Sequence, residues 1–222
     1  LPTNPVALAL VLVFVVSPFF TALVNLSPVS FGNLRIQGVE LKNGISLMLG
    51  QFLLILPFFL ARQFLASGGE QRDLMRAILI AALLYTVPML IEIRLSPQLN
   101  MWIYGYYQHE FYQTFRFGGW RPMVFLYHGI WVAFFTMTGL ICAFALWRFG
   151  GEGRRRTRLL LAGLWLSIVL ILAKSLGAMV FAVLLLPMVL LLGVRMQIRV
   201  ALVLALLATA YPLMKMADWV PE

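Results

Sequence analysis

Charge in this chain is almost entirely confined to short connectors between long apolar runs, and that spacing leaves few folds open. A helix needs roughly 20 apolar residues, at about 1.5 Å each, to cross about 30 Å of hydrocarbon. Apolar runs over residues 6–24, 45–65, 74–93, 123–147 and 200–214 meet or approach that length. From Arg158 to Val194 the chain is apolar apart from Lys174, Ser175 and a few small residues. As one helix that stretch would be roughly 50 Å long, too long for one crossing. Two short spans are therefore expected, 159–173 and 178–194, broken at Lys174-Ser175-Leu176-Gly177. The fold expected is an all-α polytopic bundle of about seven spans, read as one transmembrane domain over residues 1–222.

Composition enters as a check. Of 222 residues, 62% are hydrophobic and 11% charged, whereas soluble domains carry about 25% charged residues. A lipid bilayer is the partner such a surface requires. The net charge of +9 does not point to nucleic acid, because the basic residues sit between apolar runs as orientation signals do. Arg62, Arg72 and Arg76 share one connector; Arg148, Arg154, Arg155, Arg156 and Arg158 share another; Arg195 and Arg199 lie in a third. These connectors alternate, and the excess of positive charge assigns them to the cytoplasm. The N-terminus is then cytoplasmic and Glu222 extracytoplasmic. The single cysteine, Cys142, lies in an apolar run and forms no internal disulfide.

The longest outside segment, Ser96–Gly119, reads SPQLNMWIYGYYQHEFYQTFRFGG. Ile103, Tyr107, Phe111 and Phe115 recur every four residues, which predicts a helix lying at the membrane interface with its aromatic stripe toward lipid. It could equally serve as an aromatic belt or as a platform over which a lipid-linked sugar enters.

Ionisable residues near or within spans are costly and mark candidate sites. Glu92 and Arg94 lie near the outer end of the third run, two residues apart and so not each other's partner. Gly118-Gly119-Trp120-Arg121-Pro122 leads into the fourth run: the glycines permit tight turns, and Pro122 suits a first helical position. Arg121 would stand at the outer mouth, with His128 one to two turns inside. Arg116 and Lys174 would face the same side. Arg94, Arg116, Arg121 and Lys174 are thus candidate substrate-binding cations for a pyrophosphate, and His128 and Glu92 candidate proton-handling groups. No Walker loop, zinc-type cluster, GxSxG or GxGxxG motif is present, and neither a cofactor nor a metal is expected.

The stretch Arg121–Leu140, RPMVFLYHGIWVAFFTMTGL, resembles a motif of the O-antigen ligase and polysaccharide polymerase superfamily, in which an Arg precedes His-Pro-Asn and a span rich in small residues. Here Gly129-Ile130 stands where Pro-Asn is usual. Lys174-Ser175-Leu176-Gly177-Ala178 is similar to the family's Ser-Arg-Gly element, with Leu176 in place of Arg and Lys174 beside it. The SPQL and YGYY elements between Glu92 and Gly119 resemble a branch of O-antigen ligase-like proteins from exopolysaccharide clusters. The resemblance spans roughly Ile45–Glu222 and implies an N-terminal portion of a longer chain. It implies a bacterial inner-membrane glycan ligase or polymerase performing metal-independent, inverting transfer from an undecaprenyl-pyrophosphate-linked saccharide to a glycan or lipid acceptor at the periplasmic face. A different class also fits the pattern: a transporter or flippase subunit moving a lipid-linked glycan without catalysis.

Overall fold

The computed structural model of the protein describes residues 4–32, 34–150 and 152–216. It divides into two compact units, Leu1–Gln71 and Arg72–Glu222.

In the first unit, α1 (Pro5–Val24) and α2 (Leu41–Phe64) are joined by a short antiparallel hairpin of β1 (Val29–Phe31) and β2 (Leu34–Ile36). Asn4 starts α1: its Oδ1 accepts the Val6 N–H at 2.9 Å, and Pro5 fills a position whose N–H would have no partner. The two helices meet where Gly44 faces Ala22, since a Cβ at Gly44 would stand 2.7 Å from the Ala22 Cβ. Most of the remaining side chains of both helices are apolar, and many of the large ones point outward.

α3 (Gly68–Leu95) opens on a capping box: the Ser67 N–H donates to Glu70 Oε2 at 2.8 Å and the Glu70 N–H to Ser67 Oγ at 3.2 Å. It leads into the second unit, where α4 (Leu99–Tyr104), a 3₁₀ turn (Phe111–Thr114) and a hairpin of β3 (Phe115–Arg116) with β4 (Gly119–Trp120) precede α5 (Gly129–Gly150). Then come α6 (Gly153–Leu172), α7 (Leu176–Leu191) and α8 (Val194–Met216). The core of this unit is built around α5, whose Val132, Ala133, Leu140 and Ala143 are buried against Leu79, Ala82 and Met89 of α3, Leu166 and Val169 of α6, and Ala178 and Ala182 of α7. Small residues set the spacing. A Cβ at Gly139 would come within 2.3 Å of Ala82 Cβ, so the Ala82 methyl of α3 packs directly on the Gly139 backbone of α5.

Five helices, α1, α2, α3, α5 and α8, are long and apolar enough to cross a membrane. α7 is apolar but only 16 residues long, and the first turns of α6 carry Arg154, Arg155, Arg156 and Arg158. Large apolar side chains cover the outside of the helices. Lipid is the only solvent that accepts them, and the protein is an all-α membrane protein.

Two expectations for the outer segment need correction. Ile103, Tyr107, Phe111 and Phe115 do not form one helical stripe: α4 ends at Gly105 in a left-handed conformation (φ 77°), and the chain then turns to the 3₁₀ segment and hairpin. The fourth apolar helix begins at Gly129 rather than Met123, and residues 121–128 form an irregular connector. Pro122 therefore starts no helix, and His128 sits at the mouth of α5 rather than inside it.

Candidate functional site

The connector over residues 121–128 is held open by polar groups from three elements. Glu92, in the last turn of α3, is 1% exposed. Its Oε2 accepts the Met123 N–H at 2.8 Å and the Val124 N–H at 2.7 Å, while Oε1 accepts the Leu99 N–H at 3.0 Å. Tyr85 of α3 accepts the Phe125 N–H on its hydroxyl at 3.1 Å. Gln108 donates from Nε2 to the carbonyls of Val124 and Leu126 at 2.7 and 3.4 Å. The Arg121 N–H donates to the Thr114 carbonyl at 2.7 Å. These bonds replace the ladder a helix would have made, and they hold Val124 at φ 51°, a conformation β-branched residues rarely adopt. Tyr107 donates its hydroxyl to Met123 Sδ at 3.2 Å, and burial pushes its pKa up to about 12, so it remains a neutral donor.

Arg121 is 2% exposed and is the one buried cation among the described residues. Its Nη2 donates to Ser175 Oγ at 3.4 Å, and its Nε finds no acceptor among the described residues. Among the described residues no carboxylate pairs with it. The side chain packs on the first residue of α5, where a Cβ at Gly129 would stand 2.7 Å from Arg121 Nε. It also reaches the start of α7 through Ser175, which precedes that helix without making a capping bond. The guanidinium thus lies between two helix N-termini, both positive ends of peptide dipoles. Burial, with the charge of Arg116 added, pulls its pKa down to about 10, and it stays a cation at neutral pH.

Two further cations join it. Arg116 ends β3 and is exposed. The hairpin turns at Phe117 (φ 49°) and Gly118 (φ 69°), the two positive-φ positions of a type I′ turn. Lys174, in the α6–α7 break at φ 52°, spans to this turn and donates from Nζ to the Phe117 carbonyl at 3.3 Å. Gly119 makes room for it, since a Cβ there would overlap the ammonium.

His128 caps α5. Its Nδ1 accepts the Ile130 N–H at 3.0 Å and its carbonyl accepts the Trp131 N–H at 2.9 Å. With Nδ1 accepting, the ring proton is on Nε2. Burial, then the charges of Arg121, His109 and Arg116, hold its pKa below the ordinary histidine range, so the ring is neutral at pH 7. The His109 ring stands edge-on to it, 4.7 Å between centroids.

Of the sequence-derived candidates, Arg116, Arg121, Lys174 and His128 converge. Glu92 lies next to them through the backbone of Met123 and Val124, with every described contact going to an amide. Arg94 is exposed on α3 and makes no hydrogen bond or ion pair with another described residue. Ser175 enters the sequence reading only through the break and the element similar to Ser-Arg-Gly, and Gln108 and His109 carry no site role there. His109 could have been given one, because the chain has only two histidines and both lie in the same extramembrane stretch.

No protein-family model, curated protein or solved structure matches this chain, so the chemistry of the site is argued from its own geometry.

Proposed function

We propose that the protein is a bacterial inner-membrane glycosyltransferase of the ligase or polymerase type, binding a lipid-linked saccharide by its pyrophosphate at Arg121. The observation that carries this reading is the buried guanidinium with no carboxylate partner among the described residues. An unpaired buried charge costs several kcal/mol, roughly, and an anion drawn from outside the chain would offset that cost. A phosphate oxygen pair fits the guanidinium fork, while Lys174, Arg116 and the starts of α5 and α7 add positive potential around it. His128 offers its Nε2–H as a neutral donor to the same anion. A pyrophosphate leaving group needs such stabilisation as negative charge builds on the departing oxygen.

The apolar faces beside the site suit a polyprenyl tail, and the site lies at the end of the α3–α5–α6–α7 bundle opposite the arginine-rich start of α6. By the positive-inside rule that end faces the periplasm. The test is titration of undecaprenyl pyrophosphate into the purified full-length chain in nanodiscs. Arg121→Ala should weaken binding by about 10- to 100-fold, the loss expected of a charge-assisted hydrogen-bond pair, and abolish glycan transfer in cells. Unchanged lipid affinity in a correctly inserted Arg121→Ala protein would remove pyrophosphate from the reading.

A further inference from the structure

Beside the anion site lies an open cavity of about 460 Å³ lined by Gln98, Met101, Tyr107, His109, Glu110 and Phe111. Its walls combine two aromatic rings, Tyr107 and Phe111, packed edge to face at 5.3 Å, with an amide, an imidazole and a carboxylate. Aromatic faces with a few hydrogen-bonding side chains suit a polyhydroxylated ring, and the volume falls in the range of small-ligand sites. His109 belongs to both places, lining the cavity and meeting His128 across 4.7 Å.

The protonation pattern of the two rings assigns them different tasks. His128 Nδ1 is occupied by the Ile130 N–H, so its outer nitrogen is a donor and cannot take a proton. His109 Nε2 stands 3.2 Å from Gln113 Oε1, an oxygen that only accepts; with this nitrogen carrying the proton, Nδ1, which meets no donor among the described residues, keeps its lone pair.

We infer that the cavity is the acceptor subsite, taking a hydroxyl-bearing saccharide, and that His109 Nδ1 is the general base. This rests on the pyrophosphate reading of Arg121. The acceptor hydroxyl oxygen bonds to the anomeric carbon as the bond from that carbon to the pyrophosphate oxygen breaks. The electron pair leaves with the pyrophosphate, held by Arg121. The hydroxyl proton passes to His109 Nδ1 and from there to water. Gln113 positions the ring, and Glu110 stands on the cavity wall to accept hydrogen bonds from other hydroxyls.

Two variants test it in the full-length protein. His109→Gln removes the base, and Met101→Trp fills the cavity from an exposed position on α4 while keeping both histidines in the sequence. Binding is read with undecaprenyl pyrophosphate in nanodiscs. Transfer is read in membrane vesicles of the cells that carry the protein, using tritiated lipid-linked saccharide extracted from those cells and their own acceptor. Both variants should bind the lipid within about twofold of wild type. Transfer should fall about 100-fold or more in His109→Gln, the usual contribution of a general base, and about 10-fold or more in Met101→Trp. Wild-type transfer in His109→Gln removes the base, and wild-type transfer in Met101→Trp removes the acceptor cavity. Loss of lipid binding in either variant overturns the separation of the two subsites. Undiminished lipid binding by Arg121→Ala would instead sink the pyrophosphate reading on which the inference stands.

Discussion

Glu92 accepts three backbone N–H groups on two oxygens, none of them from its own helix. A carboxylate so engaged is a clasp: it fixes the start of α4 and the two residues after Pro122, and so sets where Arg121 points. Gln at this position keeps one accepting oxygen and turns an NH₂ group against amides that need acceptors. Hydrogen bonds to a charged group contribute about 1.5–3 kcal/mol each. Glu92→Gln should therefore lower the thermal unfolding midpoint in detergent and destabilise the protein by about 2–3 kcal/mol. If the variant kept its unfolding midpoint but lost glycan transfer, Glu92 would belong to the chemistry rather than to the scaffold. The sequence marks Glu92 as costly and therefore purposeful, but its partners are amides 7, 31 and 32 residues away, and a backbone amide has no sequence signature. Arg121 was legible for the opposite reason. Its charge, its glycines and its place at the end of an apolar run are all local features.

At the scale of elements, the apolar runs became helices because the bilayer forces every backbone group in a span to be satisfied internally. α1 over Pro5–Val24 covers the first run, while the α6–α7 break is Ala173–Ser175 rather than 174–177, because Leu176 and Gly177 already open α7. The aromatic segment misled because a four-residue recurrence in a short stretch does not exclude turns; Gly105 and the Phe117-Gly118 pair impose them. How helices pack is also hidden from periodicity, and here it turns on single methyl groups. Gly139 and Ala82 meet so closely that one added Cβ would stand 2.3 Å from another. Gly139→Ala should destabilise the second unit by about 1–3 kcal/mol, the usual cost of overpacking. Ala82→Gly in the same chain should recover most of that loss despite its own helix-propensity cost of about 1 kcal/mol. A double-mutant cycle on unfolding in detergent reads the coupling, and additive effects would mean that the two helices do not touch at this point.

For the whole molecule, the question is which side of the membrane holds the cations around Arg121. The second unit has two ends of unlike character. One carries Arg116, Arg121, Lys174 and both histidines beside the irregular connector; the other carries Arg148, which donates to the carbonyls of Val189 and Leu192 at the end of α7, and the arginines opening α6. The arginine-rich end should remain with the cytosol, since retaining basic connectors there is what orients a multi-span chain. Cys142 is the chain's one cysteine and is buried in α5, so introduced thiols can be read against a silent background. Tyr112→Cys and Arg154→Cys each place a thiol at an exposed position on opposite ends of this unit. A membrane-impermeant maleimide added to intact cells should label the Tyr112→Cys protein and spare the Arg154→Cys protein until the inner membrane is opened. The reverse pattern would put the Arg121 cleft in the cytosol, where a periplasmic glycan acceptor could not reach it, and glycan transfer at that cleft would have to be abandoned.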